Sequence, residues 1–188
     1  MTNNEILRRV RYLYNYSDDQ MLAIFAAADG VVAPRQLANW MKKEEDRGYQ
    51  ECRDKEMAIF LNGFINVKRG KKEGDQPTPE TRLSNNIIFR KLKIALNLQA
   101  EDIMEMMTLA GLPISKHELS AFFRRPDHKH FRLCKDQILR NFLNGLQMKR
   151  KGLTESVVKA KPKEPSKTLR VEKTESDGEK SAFSWNKD

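Results

Sequence analysis

The sequence predicts an all-α fold made of two tandem four-helix repeats with approximate internal symmetry. Three observations predict it. Residues 3–70 lie over residues 85–152 at a constant offset of 82, without a gap, and 14 of the 68 aligned pairs are identical. The apolar residues of both copies recur with helical spacing at matched positions. Each copy, at about 68 residues, is of a size that buries only roughly 60% of its unfolded surface, so the two are expected to pack on each other.

The first helix of each copy places Ile6, Leu7, Val10, Leu13 and Tyr14 on one face, matched by Ile88, Phe89, Leu92, Ala95 and Leu96. Asn3 or Asn4, and Asn85 or Asn86, stand where an N-cap belongs, since an Asn side chain can accept from a free backbone N–H there. The second helix repeats Met21, Ile24, Phe25 and Ala28 as Ile103, Met106, Met107 and Ala110. Ser17-Asp18-Asp19-Gln20 has the form of a capping box, and Asp29-Gly30 and Gly111-Leu112-Pro113 are helix breakers. The third helix buries Leu37, Trp40 and Met41, then Leu119, Phe122 and Phe123. Pro34 suits its first turn, Ser115-Lys116-His117-Glu118 forms another capping box, and Pro126 is expected to end the second copy's helix.

Loops 45–53 and 127–135 follow. Each carries an aromatic, Tyr49 or Phe131, three residues before a cysteine, and the ring is expected to plug the core beneath the loop. The fourth helix is expected to start at Asp54 and Asp136 as N-caps and to end at Gly70 and Gly152. It buries Met57, Phe60, Leu61 and Phe64, then Leu139, Phe142, Leu143 and Leu146. Asn62-Gly63 and Asn144-Gly145 fall mid-helix, where glycine costs about 1 kcal/mol relative to alanine. Close approach of another helix, with the opposite repeat as one source, is the simplest compensation; a polar pocket beside the asparagines is the alternative.

The organisation is therefore repeat 1 over residues 1–70, a polar Pro/Gly linker over 71–84, repeat 2 over 85–152, and a tail over 153–188. That tail is rich in Lys, Glu, Ser and Pro and too poor in apolar area to offset its ordering entropy, so it is expected to be disordered. Phe183 and Trp185 near its end are either a docking motif or a frayed terminus.

Hydrophobic residues make up 39% of the chain and charged residues 32%, as in ordinary helical proteins. No apolar run reaches the roughly 18 residues of a membrane span, and the polar start Met1-Thr2-Asn3-Asn4-Glu5 lacks a signal-peptide core. A cytoplasmic location without membrane association is expected. Cys52 and Cys134, at equivalent positions, read as small buried residues; a disulfide across the pseudo-twofold axis is the alternative. The net charge is +9. Residues 153–188 carry 8 Lys/Arg against 7 Asp/Glu, so the excess belongs to the repeats, which permits polyanion binding.

The second and third helices resemble a helix-turn-helix corner in each copy, with the third helix as the candidate reader of a nucleic acid. Arg35, Asn39 and Lys42 point away from the core there, with Lys43 beside them; the second copy offers His117, Arg124 and Arg125, with Ala121 in place of Asn39. Such side chains suit base edges and phosphates, although any helical bundle has similar corners with solvated outer faces. On the first helix, Arg8 and Arg11 share a face, echoed by Arg90 and Lys93. They could grip phosphates or pair with Asp18, Asp19, Glu101 and Asp102 of the next helix. The basic clusters 68–72 and 149–151 are favoured by the helix dipole in any case.

His128, His130 and Cys134, with His117 nearby, are residue types that bind zinc, but the spacing matches no standard zinc pattern and the first copy has Asp46, Gly48 and Arg35 at the histidine positions. No metal or other cofactor is expected. A phosphate-cradling glycine loop, a nucleophile elbow, HExxH and CxxC are all missing from the sequence, so no catalytic residues are assigned.

The chain resembles the YehS-like bacterial family, a duplicated domain of unknown function, over residues 3 to about 150. The resemblance rests on Asn85-Asn86, Pro126-Asp127-His128-Lys129, Cys134-Lys135-Asp136-Gln137 and Phe142-Leu143, and in the first copy on Trp40, Lys43-Glu44, Phe60-Leu61-Asn62-Gly63 and Lys68-Arg69-Gly70. It implies a small cytoplasmic bacterial protein and brings no activity, ligand or site; the segment after Gly152 is longer than that family leads one to expect. The functional expectation is a non-enzymatic module that binds nucleic acid, with a protein-interaction adaptor using an apolar groove between the repeats as the alternative.

Overall fold

The computed structural model describes the backbone of residues 1–159 and the side chains of residues 1–152. Eight helices follow one another: α1 (Asn3–Tyr14), α2 (Asp18–Ala26), α3 (Pro34–Met41), α4 (Asp54–Arg69), α5 (Asn85–Ala95), α6 (Ala100–Leu109), α7 (Lys116–Phe122) and α8 (Asp136–Lys159). Among the described residues no strand interrupts them.

Helix starts follow local hydrogen-bond supply. Ser17 and Ser115 form the expected capping boxes with Gln20 and Glu118, and Pro34 opens α3. The caps of α1 and α5 are Thr2 and Ser84, one residue before the asparagine pairs. Asn3, Asn4, Asn85 and Asn86 are already helical, so their amides reach out of the helix instead. Asp54 and Asp136 are likewise the first residues inside α4 and α8 rather than caps, with Arg53 in the cap position of α4. Asp54 accepts from the Asn3 amide and from Leu83 N–H, tying the start of α4 to α1 and to the linker.

Helix ends obey backbone sign. Asn15 and Asn97 close α1 and α5 in the left-handed region, at φ 51° and 52°. Gly70 takes φ +88° and ends α4. Gly152 is not among the residues with positive φ, and α8 runs through it to Lys159, so it does not close the helix as expected. Helix α7 stops at Phe122, before Pro126 can act. The expectations about residues 160–188, including Phe183 and Trp185, lie outside the described residues.

Within each repeat the second helix crosses the fourth, α2 on α4 and α6 on α8. The mid-helix glycines make these crossings possible. A Cβ on Gly63 would sit 1.7 Å from the Ile24 carbonyl oxygen, and one on Gly145 would sit 1.8 Å from that of Met106. The approaching helix therefore belongs to the same repeat, not to the opposite one. The core of repeat 1 forms around Phe25, whose ring lies 5.6 Å from Trp40 and 5.3 Å from Phe60. Met107 replaces Phe25 in repeat 2, where Phe89 takes over, 4.5 Å from Phe142 and 5.0 Å from Phe123. Both sets belong to one continuous hydrophobic core.

The repeats join through exchanged neighbours: α5 lies on α4, and α1 lies on α8. Two equivalent polar contacts mark this exchange. Arg9 of repeat 1 donates to the Asn144 side-chain oxygen of repeat 2 at 2.6 Å, and Lys91 of repeat 2 donates to that of Asn62 in repeat 1. Lys91 is buried and also pairs with Glu80 of the linker at 2.9 Å. The asparagines next to the glycines thus serve the junction between repeats while the glycines serve the crossing within each.

Candidate nucleic-acid interface

The sequence offers eleven polar side chains for this surface, and the fold divides them. Arg8 donates to the Lys42 carbonyl at 2.6 Å, and its counterpart Arg90 donates to the Phe123 carbonyl at 2.8 Å. Each satisfies a carbonyl left over at the end of the third helix. Arg11 donates to Tyr16 O and pairs with Asp18 at 2.8 Å, while Lys93 lies 5.0 Å from the centre of the Phe123 ring. Of the two roles open to these four cations, holding the bundle together accounts for the contacts of Arg8, Arg11 and Arg90.

The third helices differ. In repeat 1, Lys42 donates from Nζ to Asn39 Oδ1 at 3.0 Å and to the Arg47 carbonyl at 3.1 Å. Both partners on the outer face are thereby turned onto their own loop. In repeat 2, Ala121 stands where Asn39 stood and is buried, so the acceptor is gone. A cavity of about 260 Å³ opens at this place, lined by His117, Arg124, Lys129, His130, Phe131 and Arg132 among others. Phe131 lines that cavity half-buried, and Tyr49 is half-buried too; neither plugs the core as the sequence suggested. The loop backbone explains this, because Tyr49 and Phe131 N–H groups close tight turns onto Asp46 and His128 carbonyls rather than turning inward.

What does reach inward is the first-turn asparagine. Asn4 Nδ2 donates to the Trp40 and Gln50 carbonyls and its Oδ1 accepts from Cys52 N–H, at 2.8–2.9 Å. Asn86 makes the same three bonds to Phe122, Arg132 and Cys134, each at 2.9 Å. These amides fix the loop that carries the cavity. Cys52 and Cys134 are buried free thiols, and burial pushes both pKa values up to about 12. Cys134 is thus held under the loop while His128 and His130 stay exposed, with the His130 N–H donated to His128 Nδ1.

The charge of the two loops also differs. Between Phe123 and Lys135 five Lys/Arg face Asp127 alone, whereas between Met41 and Arg53 four Lys/Arg are balanced by Glu44, Glu45, Asp46 and Glu51. Among the described residues no carboxylate pairs with Arg124, Lys129 or Arg132. Glu118, which also lines the cavity, has its pKa lowered, first by the Ser115 N–H, then by the Ser115 hydroxyl and least by the charge of Arg132, which lies beyond ion-pair distance. At the equivalent place in repeat 1 Lys42 reaches across to Asn39 and the Arg47 carbonyl, and the concavity nearby, lined by Gln36, Trp40, Gln50, Glu51, Arg53 and Glu56, is a different one that carries two carboxylates.

Arg90, Lys93, His117 and Arg124 therefore line concave surface in repeat 2. Arg8, Arg11, Arg35 and Lys42 do not extend it into repeat 1. Arg35 is exposed and Lys43 makes only a long 3.9 Å pair with Glu45. Arg125 is exposed beside the cavity. Lys129, Phe131 and Arg132 were not assigned to the surface from the sequence, although comparing the loop charges of the two copies would have pointed to them.

A family model described as "Protein of unknown function (DUF1456)" matches residues 3–70 and again residues 85–152. The chain belongs to this family. It is 42% identical over 147 residues to "Uncharacterized protein YehS" of Escherichia coli (strain K12), a match that covers 78% of this chain and 94% of that protein. No solved structure gives a significant match. Among the described residues no helix is long and apolar enough to cross a membrane.

Proposed function

We propose that this protein is a non-enzymatic module that binds nucleic acid, and that it does so through repeat 2. The observation that carries this is the asymmetry between two otherwise equivalent loops. Duplication supplies the same scaffold twice, yet the second copy has lost the Asn39-type acceptor and carries a surplus of cations around a cavity, where in the first copy Lys42 is bonded to Asn39 and the Arg47 carbonyl and the loop charges balance. Unpaired Arg and Lys around a concavity cost the fold self-repulsion, and a polyanion is the partner that relieves it.

The adaptor alternative calls for an apolar groove between the repeats. The concavity at that junction, about 510 Å³, is lined by Tyr14, Lys68, Arg69 and Arg150 among others, and is charged. Nucleic acid suits that surface better than an apolar helix does.

The test is a salt series on nucleic-acid probes. Log affinity is expected to fall linearly with log salt, each phosphate contact contributing a slope of about −0.7 for single strands or −0.9 for duplex. Replacing Arg124 and Arg132 with Gln should shallow the slope. Replacing Arg35 and Lys43 with Gln should leave it unchanged. Salt-indifferent binding, or equal loss from both pairs, contradicts the proposal.

A further inference from the structure

The cavity under the repeat 2 loop is the end of a longer feature. Four concavities are joined through shared lining residues. The junction concavity shares Arg69 and Asn97 with one of about 420 Å³ along α5. That one shares Lys93 and Phe123 with a concavity of about 300 Å³ beside α7, which in turn shares Arg124 with the loop cavity. Each has three Lys or Arg side chains in its lining, and Glu118 is the single carboxylate among the described residues that line them. The four therefore adjoin one another as a basic path across repeat 2 that ends at Lys68 and Arg69 of repeat 1.

Its chemistry separates single strands from duplex. A duplex reader needs a helix that projects polar side chains into a groove roughly 12 Å wide. Here α7 has seven residues, its Ala121 is buried, and in α3 two of the candidate readers, Asn39 and Lys42, are tied to each other. A concave track instead admits a thin, bendable backbone whose bases can lie on aromatic rings. Phe131 offers such a ring. It lines the loop cavity between Lys129 and Arg132, and among the described residues no other aromatic stacks on it. Tyr14 is not equivalent, since Lys68 and Arg150 stand 4.2 and 4.3 Å from its ring centre.

Resting on the nucleic-acid reading above, we propose that the four linked concavities form a track for single-stranded nucleic acid, with Arg124, Lys129 and Arg132 holding phosphates and Phe131 stacking a base. The strand would run from the loop cavity past Phe123 and Lys93 toward the junction of the repeats.

The experiment is fluorescence anisotropy on the full chain at fixed salt, with labelled oligo-dT, oligo-U, a duplex of equal length and, as a charge-only probe, polyglutamate. Single strands are expected to bind at least tenfold more tightly than the duplex or polyglutamate. Phe131→Leu keeps the loop's apolar contact and removes the stacking face; it should weaken single-strand binding by about tenfold without changing the salt slope or the melting temperature. Tyr49→Leu, the repeat 1 counterpart, should change affinity less than twofold. Duplex bound as tightly as single strand, or Phe131→Leu without effect, overturns the track while leaving nucleic-acid binding standing. Polyglutamate bound as tightly as oligo-dT overturns the track as well, and binding to none of the nucleic acids overturns both proposals.

Discussion

Asn4 and Asn86 each join three other chain segments through one side-chain amide: the end of the third helix, the middle of the loop, and the cysteine before the fourth helix. Replacing either with Ala leaves one carbonyl and one N–H without partners in the interior, and frees a second carbonyl in the half-buried loop. At about 1–3 kcal/mol for each unsatisfied buried group, Asn4→Ala or Asn86→Ala is expected to cost at least about 2 kcal/mol in denaturant unfolding; a loss below about 1 kcal/mol would contradict this account. Identity in both copies made these asparagines visible in the sequence, but the preference of Asn for N-caps pointed to the wrong job. A side chain's type fixes what it can bond, while the partner here lies 36 to 48 residues away. The cysteines give a second residue-scale prediction. Burial raises both thiols from the usual value near 9 to about 12. The folded state therefore keeps its thiol protons in a range where the unfolded state loses them, and stability should fall as pH rises from about 9 toward 12. Replacing both cysteines with Ala should flatten that stretch of a denaturation-midpoint against pH curve, and an unchanged slope would speak against it.

At the scale of elements, the crossings of α2 over α4 and α6 over α8 turn on one missing Cβ each. Alanine is the better helix former by about 1 kcal/mol, yet at Gly63 or Gly145 the added carbon meets a backbone oxygen under 2 Å away. Gly63→Ala and Gly145→Ala are expected to destabilise by several kcal/mol, at the upper end of what single substitutions do. Gly152→Ala offers the control, because nothing lies within 4 Å of its missing Cβ and its φ is not positive; thermal melting should show it neutral or stabilising by up to about 1 kcal/mol. The two crossing glycines and Gly152, which the sequence placed at a helix end, thus part company by sign. The helices themselves were legible, because each apolar pattern is seen twice and the two copies correct each other. What was not legible is which helix approaches Gly63, since periodicity fixes the face of a helix and not its neighbour. The same limit applied to Arg8 and Arg90, whose exposed-looking spacing hides bonds to third-helix carbonyls. Arg8→Met should lower stability by about 1 kcal/mol and leave oligonucleotide affinity unchanged, a pairing that circular dichroism melts and anisotropy together check.

At the scale of the molecule, the repeats are exchanged partners rather than independent domains. Arg9 reaches Asn144, Lys91 reaches Asn62, and the linker is tied to α4 through Asn62, Asn66 and Asp54. Residues 1–83 and 84–159 produced separately are expected to be largely unfolded and to regain helicity on mixing; a stable isolated repeat would contradict the shared core. Duplication was plain in the sequence, and the candidate site only half so. His117 and Arg124 were assigned from their place on the third helix, but the deciding feature is a difference between copies, and superimposing repeats draws attention to what they share. One measurement addresses the central claim most directly: a two-dimensional amide NMR titration of the full chain with oligo-dT. Shifts concentrated on α5, α7 and residues 123–135, with α3 and residues 41–53 silent, are the predicted result. Equal shifts on the two equivalent faces, or none on either, would contradict the claim that the loop and third helix of the second copy, and not those of the first, carry the interface.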